Sequence, residues 1–167
     1  MTHIVVNDAS RLIDLRKGRL LRFLCHLPYR FIVPLPIRES ELIEFTPQEQ
    51  ALLDGDNMET YDLPPERMVD VFALKRQHSR LSANDCICLV TTQCHENGIL
   101  LTGDGLLRKV AEAVGVQVQG VLWVVDELQA ENICDDALLV SALEVWKADR
   151  SVFLPDHLID QRLHRFR

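Results

Sequence analysis

The chain has no long hydrophobic run. Its longest unbroken apolar stretch, Val121 to Val125, is far short of the about 20 residues needed to span a bilayer, which excludes a membrane-spanning helix. The opening residues Met1-Thr2-His3-Ile4-Val5-Val6-Asn7-Asp8 carry no basic region and too short an apolar stretch for an export signal, so a soluble, cytoplasmic protein is expected. Glycine and proline are scarce, at seven each, and no repeat, linker or low-complexity tract is present, which excludes solenoids and disordered spacers. Cysteine is present five times, an odd number in a domain of ordinary size, which reads as reduced thiols rather than a disulfide framework. Cys86-x-Cys88 and Cys94-His95 suggest zinc, but they fall within one predicted helix, where residues i and i+2 face apart, and no second paired knuckle follows. Buried cysteine is the preferred reading. His26, His78, His95, His157 and His164 have no partner at ligand spacing, and Trp123 and Trp146 lie in apolar helical patterns as packing anchors.

What is present describes a globular domain. Apolar residues make up 47% of the 167 and charged residues 26%, enough to build one core without metal or disulfide staples. The formal charge of −7 excludes a protein that coats nucleic acid indiscriminately. The charge is unevenly spread. Leu15 to Arg30 carries Arg16, Lys17, Arg19, Arg22 and Arg30 and no acid, whereas Ile37 to Asp70 carries ten acids against Arg38 and Arg67, and Lys75, Arg76 and Arg80 are basic again. A polyanion can therefore meet a local positive surface on an acidic body, with Arg16, Lys17, Arg19 and Arg22 as the candidate phosphate contacts; for any single stretch a solvated helix face is the preferred reading.

Short apolar runs alternate with helical patterns. Strands are expected over His3–Asn7, Arg30–Val33, Thr60–Leu63, Ile99–Thr102 and Val116–Val118. Helices are expected over Ala9–Lys17, Ile37–Phe45, Gln48–Leu53 behind Thr46-Pro47, Pro65–Gln77, Ala83–Glu96 behind Ser82, and Gly105–Val114. From Gly120 onward the pattern is helical, broken near Asn132–Cys134 and at Pro155. This alternation predicts a single α/β domain with a mainly parallel sheet flanked by helices on both faces, residues 1–130, and a helical extension, 131–167, packed on it. In the extension Leu158, Leu163 and Phe166 interleave with Arg162, Arg165 and Arg167, a tail that packs on the domain, forms a homodimer or touches RNA.

Sites in parallel sheets form beyond the carboxyl ends of the strands. Asp8 follows the first strand, Asp104 follows the Ile99–Thr102 strand, Asp85 lies in the first turn of its helix, and Glu41 is read near the start of the helix after the second strand. Taken singly, each acid reads as a helix cap or a solvated residue, and Ser82-Ala83-Asn84-Asp85 resembles a capping box. Taken together, carboxylates gathered on one edge repel one another and raise each other's proton affinity, a cost that a hard divalent cation removes. Oxygen-only ligands suit Mg²⁺ or Mn²⁺, which can activate a water and stabilise a leaving oxygen at a phosphodiester. Ser10 and Thr102 stand beside two of the acids, placed to bond a ligand water or phosphate or to cap backbone.

Four stretches resemble a PIN-domain ribonuclease: Val5-Val6-Asn7-Asp8-Ala9-Ser10-Arg11-Leu12-Ile13, Phe31-Ile32-Val33-Pro34 with Glu39-Ser40-Glu41-Leu42, Leu81-Ser82-Ala83-Asn84-Asp85-Cys86, and Ile99-Leu100-Leu101-Thr102-Gly103-Asp104-Gly105-Leu106-Leu107-Arg108. The run from Gly115-Val116 through Gly120-Val121-Leu122-Trp123-Val124-Val125-Asp126-Glu127-Leu128 is similar to one bacterial branch of that family. The order and spacing of these segments carry the resemblance, not any one of them. It implies a metal-dependent endoribonuclease whose Asp8, Glu41, Asp85 and Asp104 hold Mg²⁺ or Mn²⁺. It further implies, as for many bacterial members, a toxin silenced by an antitoxin protein whose segment occupies the acidic cleft. Ala9 stands where the family often has Thr, and Glu39 competes with Glu41, which is preferred because Leu42 follows it. No further acid follows Asp104, where Leu106 and Leu107 stand, which favours one metal or a second recruited with RNA.

Other readings fit less well. A phosphomonoester hydrolase wants a second acid two residues after Asp8, where Ser10 stands. A receiver-type phosphoacceptor wants adjacent acids in the first loop, where Asn7-Asp8 stands. The non-enzyme alternative is a PIN-like fold kept as a protein-binding module.

Overall fold

A computed structural model describes residues 2–167. Its first unit is a four-residue strand, β1 (Ile4–Asn7), running into α1 (Ala9–Lys17) and the short α2 (Leu21–Leu24). Next come β2 (Arg30–Pro34), α3 (Leu35–Glu41), α4 (Pro47–Leu52) and β3 (Met58–Tyr61). A 3₁₀ turn at Pro65–Arg67 opens α5 (Met68–Gln77), and α6 (Ala83–Gln93), β4 (Ile99–Leu101), α7 (Gly105–Ala113) and β5 (Gln117–Gln119) complete the sheet. Three helices close the chain: α8 (Val121–Ala130), α9 (Asp136–Ala148) and α10 (Asp156–Phe166).

The five strands form one sheet in the order β3-β2-β1-β4-β5, and every pairing is parallel. Neighbouring residues on a strand face opposite sides of the sheet. Val5 and Val6, Phe31 and Ile32, and Leu100 and Leu101 are all fully buried, so both faces are covered. The chain is therefore α/β, a single domain with a wholly parallel sheet flanked by helices. The strand order reverses direction at β1, with β2 on one side and β4 on the other. The carboxyl ends of β1 and β4 stay paired at this switch point, and open parallel sheets place the crevice that holds their sites just beyond it.

Several element limits differ from the sequence reading, for local reasons: the helix expected from Pro65 begins as a 3₁₀ turn, and the one expected to reach Glu96 ends at Gln93. With Pro36 in its first turn, the third helix starts at Leu35, and it stops at Glu41 because Leu42 and Phe45 turn back into the core. Glu41 thus ends that helix rather than standing near its start. The strand expected from Thr60 begins at Met58, set by its register opposite Phe31. The helix start read at Thr46-Pro47 and the capping box read at Ser82 are both present, each closed as a capping box with Glu49 and Asp85 as the returning acids. Among the described residues no helix is long and apolar enough to cross a membrane.

The C-terminal segment is folded into the body of the domain. Trp146 of α9 is buried against α1, its indole N–H donating to the Asp14 carbonyl at 2.8 Å. Asp126 of α8 accepts from Arg162 at 2.9 and 2.7 Å and from Arg165 at 2.6 Å, tying α10 down while Leu163 and Phe166 enter the core. The basic tail thus packs on its own domain. Gly18, which ends α1, lets α9 approach closely: a Cβ there would lie 2.9 Å from Trp146 Cζ2 and 3.1 Å from Ala142 Cβ. Gly18→Ala is therefore expected to overpack this seam, lowering stability by about 1–3 kcal/mol in thermal or denaturant melts. An unchanged melt would mean that α9 is free to move away.

Candidate active site

The crevice between β1 and β4 opens into a cleft of about 380 Å³ whose walls include Asp8, Glu41, Asp85 and Asp104. Each arrives from a different element. Asp8 takes the residue between β1 and α1, and its backbone N–H still donates to Leu101 O of β4 at 3.0 Å, so the sheet itself fixes its position. Asp104 starts α7, Asp85 lies in the first turn of α6, and Glu41 ends α3. Among the described residues Glu41, not Glu39, lines the cleft.

The hydrogen bonds separate caps from site groups. Asp104 accepts from the Leu107 N–H at 2.9 Å, and Asp85 exchanges bonds with Ser82 at 3.0 Å in each direction, so both serve as caps as well as cleft walls. Asp8 occupies a cap position but makes no side-chain cap bond. Instead its Oδ2 accepts from the Thr102 hydroxyl at 2.8 Å and the Ser10 hydroxyl at 3.1 Å, while Thr102 Oγ accepts from the Asp104 N–H at 3.1 Å. Ser10 and Thr102 therefore orient Asp8 directly, and Thr102 links it to Asp104. Asn84 Nδ2 donates to Glu41 Oε2 at 3.0 Å, bringing α6 and α3 together across the cleft.

Burial raises the proton affinity of Asp8 above that of an ordinary carboxyl, and the nearby Asp85 adds to this against the lowering effect of the two hydroxyls. Glu41 is raised too, by desolvation and by repulsion from Asp8 and Asp85, against the Asn84 bond. The carboxylates thus face one another closely enough to repel. Even so, among the described residues no three metal-ligating side chains stand close enough to hold an ion as they lie. The cluster read from the sequence is a ring of carboxylates around a cleft, each tied to its own donor, rather than a ready-made ligand cage. Its chemistry fits Mg²⁺ or Mn²⁺: the donors are hard oxygens, and such ions are commonly held by one or two carboxylates with the remaining positions filled by water or substrate.

Three further groups belong to this cleft and were not read from the sequence as site residues. Arg11 and Asp14 form a buried ion pair at 2.5 Å on its wall. Phe153, 82% exposed, stands at its rim. The signal for the first two was in the chain: Asp8, Arg11, Asp14 and Lys17 recur every third residue with alternating sign, one face of a helix start. Phe153 carries no local pattern. Of the candidate phosphate contacts, Lys17 lines the acidic cleft and bonds Ser151 at 2.7 Å, whereas Arg16, Arg19 and Arg22 line a separate cavity of about 340 Å³, where Arg16 meets Glu49 at 2.9 Å.

A carboxyl whose proton affinity is raised by folding favours the folded state when protonated and opposes it when charged. Its contribution is fully present below its unfolded pKa, near about 3.9 for Asp, and is lost as pH rises through the folded value. Asp8→Asn removes that loss while still accepting from Thr102 and Ser10. In chelator, the variant is expected to melt higher than wild type at pH 7.5, the gap closing toward pH 4. Added Mn²⁺ should stabilise wild type more than the variant. A gap independent of pH would show that Asp8 carries no strained charge.

The family model described as DUF3368, PIN domain, matches residues 4–167, which takes in the whole sheet, the acidic cleft and both C-terminal helices. No curated protein matches the chain. With a match of that extent over a parallel five-stranded sheet and a carboxylate-lined crevice at its switch point, the chain belongs to the PIN-domain family, whose fold is of the nuclease type and whose members generally use divalent metals.

Proposed function

We propose that this protein is a metal-dependent endoribonuclease that hydrolyses RNA phosphodiesters in the cleft bounded by Asp8, Glu41, Asp85 and Asp104. The observation that carries the reading is four carboxylates from four separate elements lining one crevice of a PIN-domain sheet. Mg²⁺ or Mn²⁺, when bound there, would neutralise charge at the phosphodiester and make a water a better nucleophile at neutral pH. Asp8 is the fixed member, set by the β1–β4 ladder and two hydroxyls. Glu41, Asp85 and Asp104, on the ends of three helices, supply the remaining oxygens. Arg11, buried and paired with Asp14, and Lys17, bonded to Asp149 and Ser151, place positive charge against the same wall, where it offsets the carboxylates.

The toxin role within a toxin–antitoxin pair is part of this proposal. A cleft of carboxylates is a receptor for a basic segment of a partner, and such a segment would block RNA and metal together. A second reading, a PIN fold used only to bind a protein, draws support from the absence of a preassembled ligand group among the described residues and from the capping bonds on Asp85 and Asp104.

Incubation with a circular RNA separates the two readings. Wild type with Mn²⁺ is expected to open the circle and chelator to stop it. Asp8→Asn and Asp104→Asn should lower the rate at least about 100-fold, since even groups that only orient metal ligands cost about 10–100-fold. An intact circle under all conditions favours the binding module. Replacing Arg19 and Arg22 together by Gln should flatten the dependence of log affinity on log salt by about 1.4, two phosphate contacts at about 0.7 each for a single strand. An unchanged slope would leave the cavity lined by Arg16, Arg19 and Arg22 outside the RNA path.

A further inference from the structure

Beside the acidic cleft lies a second cavity of about 510 Å³, and the two share Arg11, Gly103 and Phe153. Their character differs. The second is floored by the first turn of α8, which begins at Gly120 with no side-chain cap and no acid in its first turn. An uncapped helix start presents free N–H groups and the positive end of the helix dipole. Arg108 sits against it, its Nη2 3.6 Å from where a Gly120 Cβ would be, and its one ion-pair partner, Glu112, is 3.5 Å away. Arg11, only 5% exposed and with its Nε unpartnered, borders both cavities. A Cβ on Gly103 would fall on the Arg11 guanidinium, so this glycine is what lets Arg11 lie between them. The acid in the second cavity, Asp126, is already engaged by Arg162 and Arg165. Arg11 is already paired with Asp14 at 2.5 Å, so the positive charge left facing this cavity comes from Arg108, held only by Glu112 at 3.5 Å, and from the uncapped start of α8.

Phe153 stands on the ridge between the two cavities with its ring in solvent, in the short connection from α9 to α10. An exposed aromatic between a carboxylate cleft and a cationic pocket has the shape of a stacking platform next to a phosphate seat.

We propose that this ridge and pocket form a binding subsite for single-stranded nucleic acid, with an unpaired base stacked on Phe153 and the neighbouring phosphate held by Arg108 and the start of α8. The choice of nucleic acid as occupant rests on the nuclease reading, and Arg108 at an uncapped helix start beside an exposed aromatic supplies a phosphate seat next to a stacking surface, the pairing that a nucleotide presents. A base held on Phe153 fixes which phosphodiester reaches the carboxylates. It also limits the substrate to strands whose bases are not already stacked in a duplex.

The test is fluorescence anisotropy of the full chain with a labelled single-stranded oligonucleotide in chelator at low salt, where no cleavage occurs. Wild type should bind the oligonucleotide about tenfold or more tightly than the same strand with abasic sites, or than its duplex. Phe153→Ala should abolish that preference, and Phe153→Trp should keep it. Both lie in solvent, so neither disturbs the fold. Arg108→Gln should weaken intact and abasic strands alike and reduce the salt slope by about 0.7. Phe153→Ala binding as wild type does would overturn the proposal, as would a wild type blind to the missing bases; a ridge built for a protein partner gives this result. If wild type opens the circular RNA with Mn²⁺ while Phe153→Ala behaves identically, the subsite falls and the nuclease stands. Base-dependent binding by a chain that cleaves nothing has the opposite meaning.

Discussion

A carboxylate buried at the carboxyl edge of a parallel sheet, where β1 meets β4, is the constraint on which the rest of this molecule depends. Asp8 cannot retreat to solvent, because its backbone is the last rung of the β1–β4 ladder. Its charge has to be met in place. Two hydroxyls meet it, one from the next turn of its own chain and one from the far strand, and the same Thr102 steadies the start of α7. The opposing carboxylates of Glu41 and Asp85 make that position costlier. A fold arranged for stability alone would not face these acids toward one another. Positive charge brought into the cleft would relieve that repulsion.

The first helix carries that electrostatic logic inward. Asp8, Arg11, Asp14 and Lys17 recur at intervals of three, so each charge neighbours its opposite along one face. Two of them form a buried pair, whose individual charges would be costly if left alone. Asp14 is in turn built into the core seam, since its carbonyl takes the Trp146 N–H. The packing of the C-terminal helices and the electrostatics of the cleft therefore meet at one helix turn. A change in how α9 seats on α1 reaches the acidic wall through a few covalent bonds.

Much of the fold was legible because hydrophobic periodicity is local. Short apolar runs between helical patterns predicted a parallel α/β sheet, and Ser82-Ala83-Asn84-Asp85 announced its capping box through residue types alone. What local pattern missed was decided at a distance. The third helix stops at Glu41 because Leu42 and Phe45 find the core, and the strand at Met58 is set by its register with β2. The Cys86-x-Cys88 pair, facing apart by helical geometry, is buried on both sides because α6 is enclosed all round.

The candidate site divides the same way. Asp8, Asp85 and Asp104 were visible in the chain because a carboxylate just beyond a strand or at a helix start is a property of a few adjacent residues, whereas Glu41 was read at the wrong end of its helix. Their meeting was not, since it depends on which strands neighbour β1, and strand order is settled by burying both faces of the sheet at once. Phe153 is the extreme case: nothing in its own neighbourhood marks it, and only the return of the C-terminal helices brings it to the edge of the cleft. The sequence by itself determined the elements, their caps and the sign of charge at their ends, because these are short-range consequences of residue type. Tertiary structure alone decided which of those charges share a cleft and which sit apart, because only packing brings together residues that the chain keeps a hundred positions away.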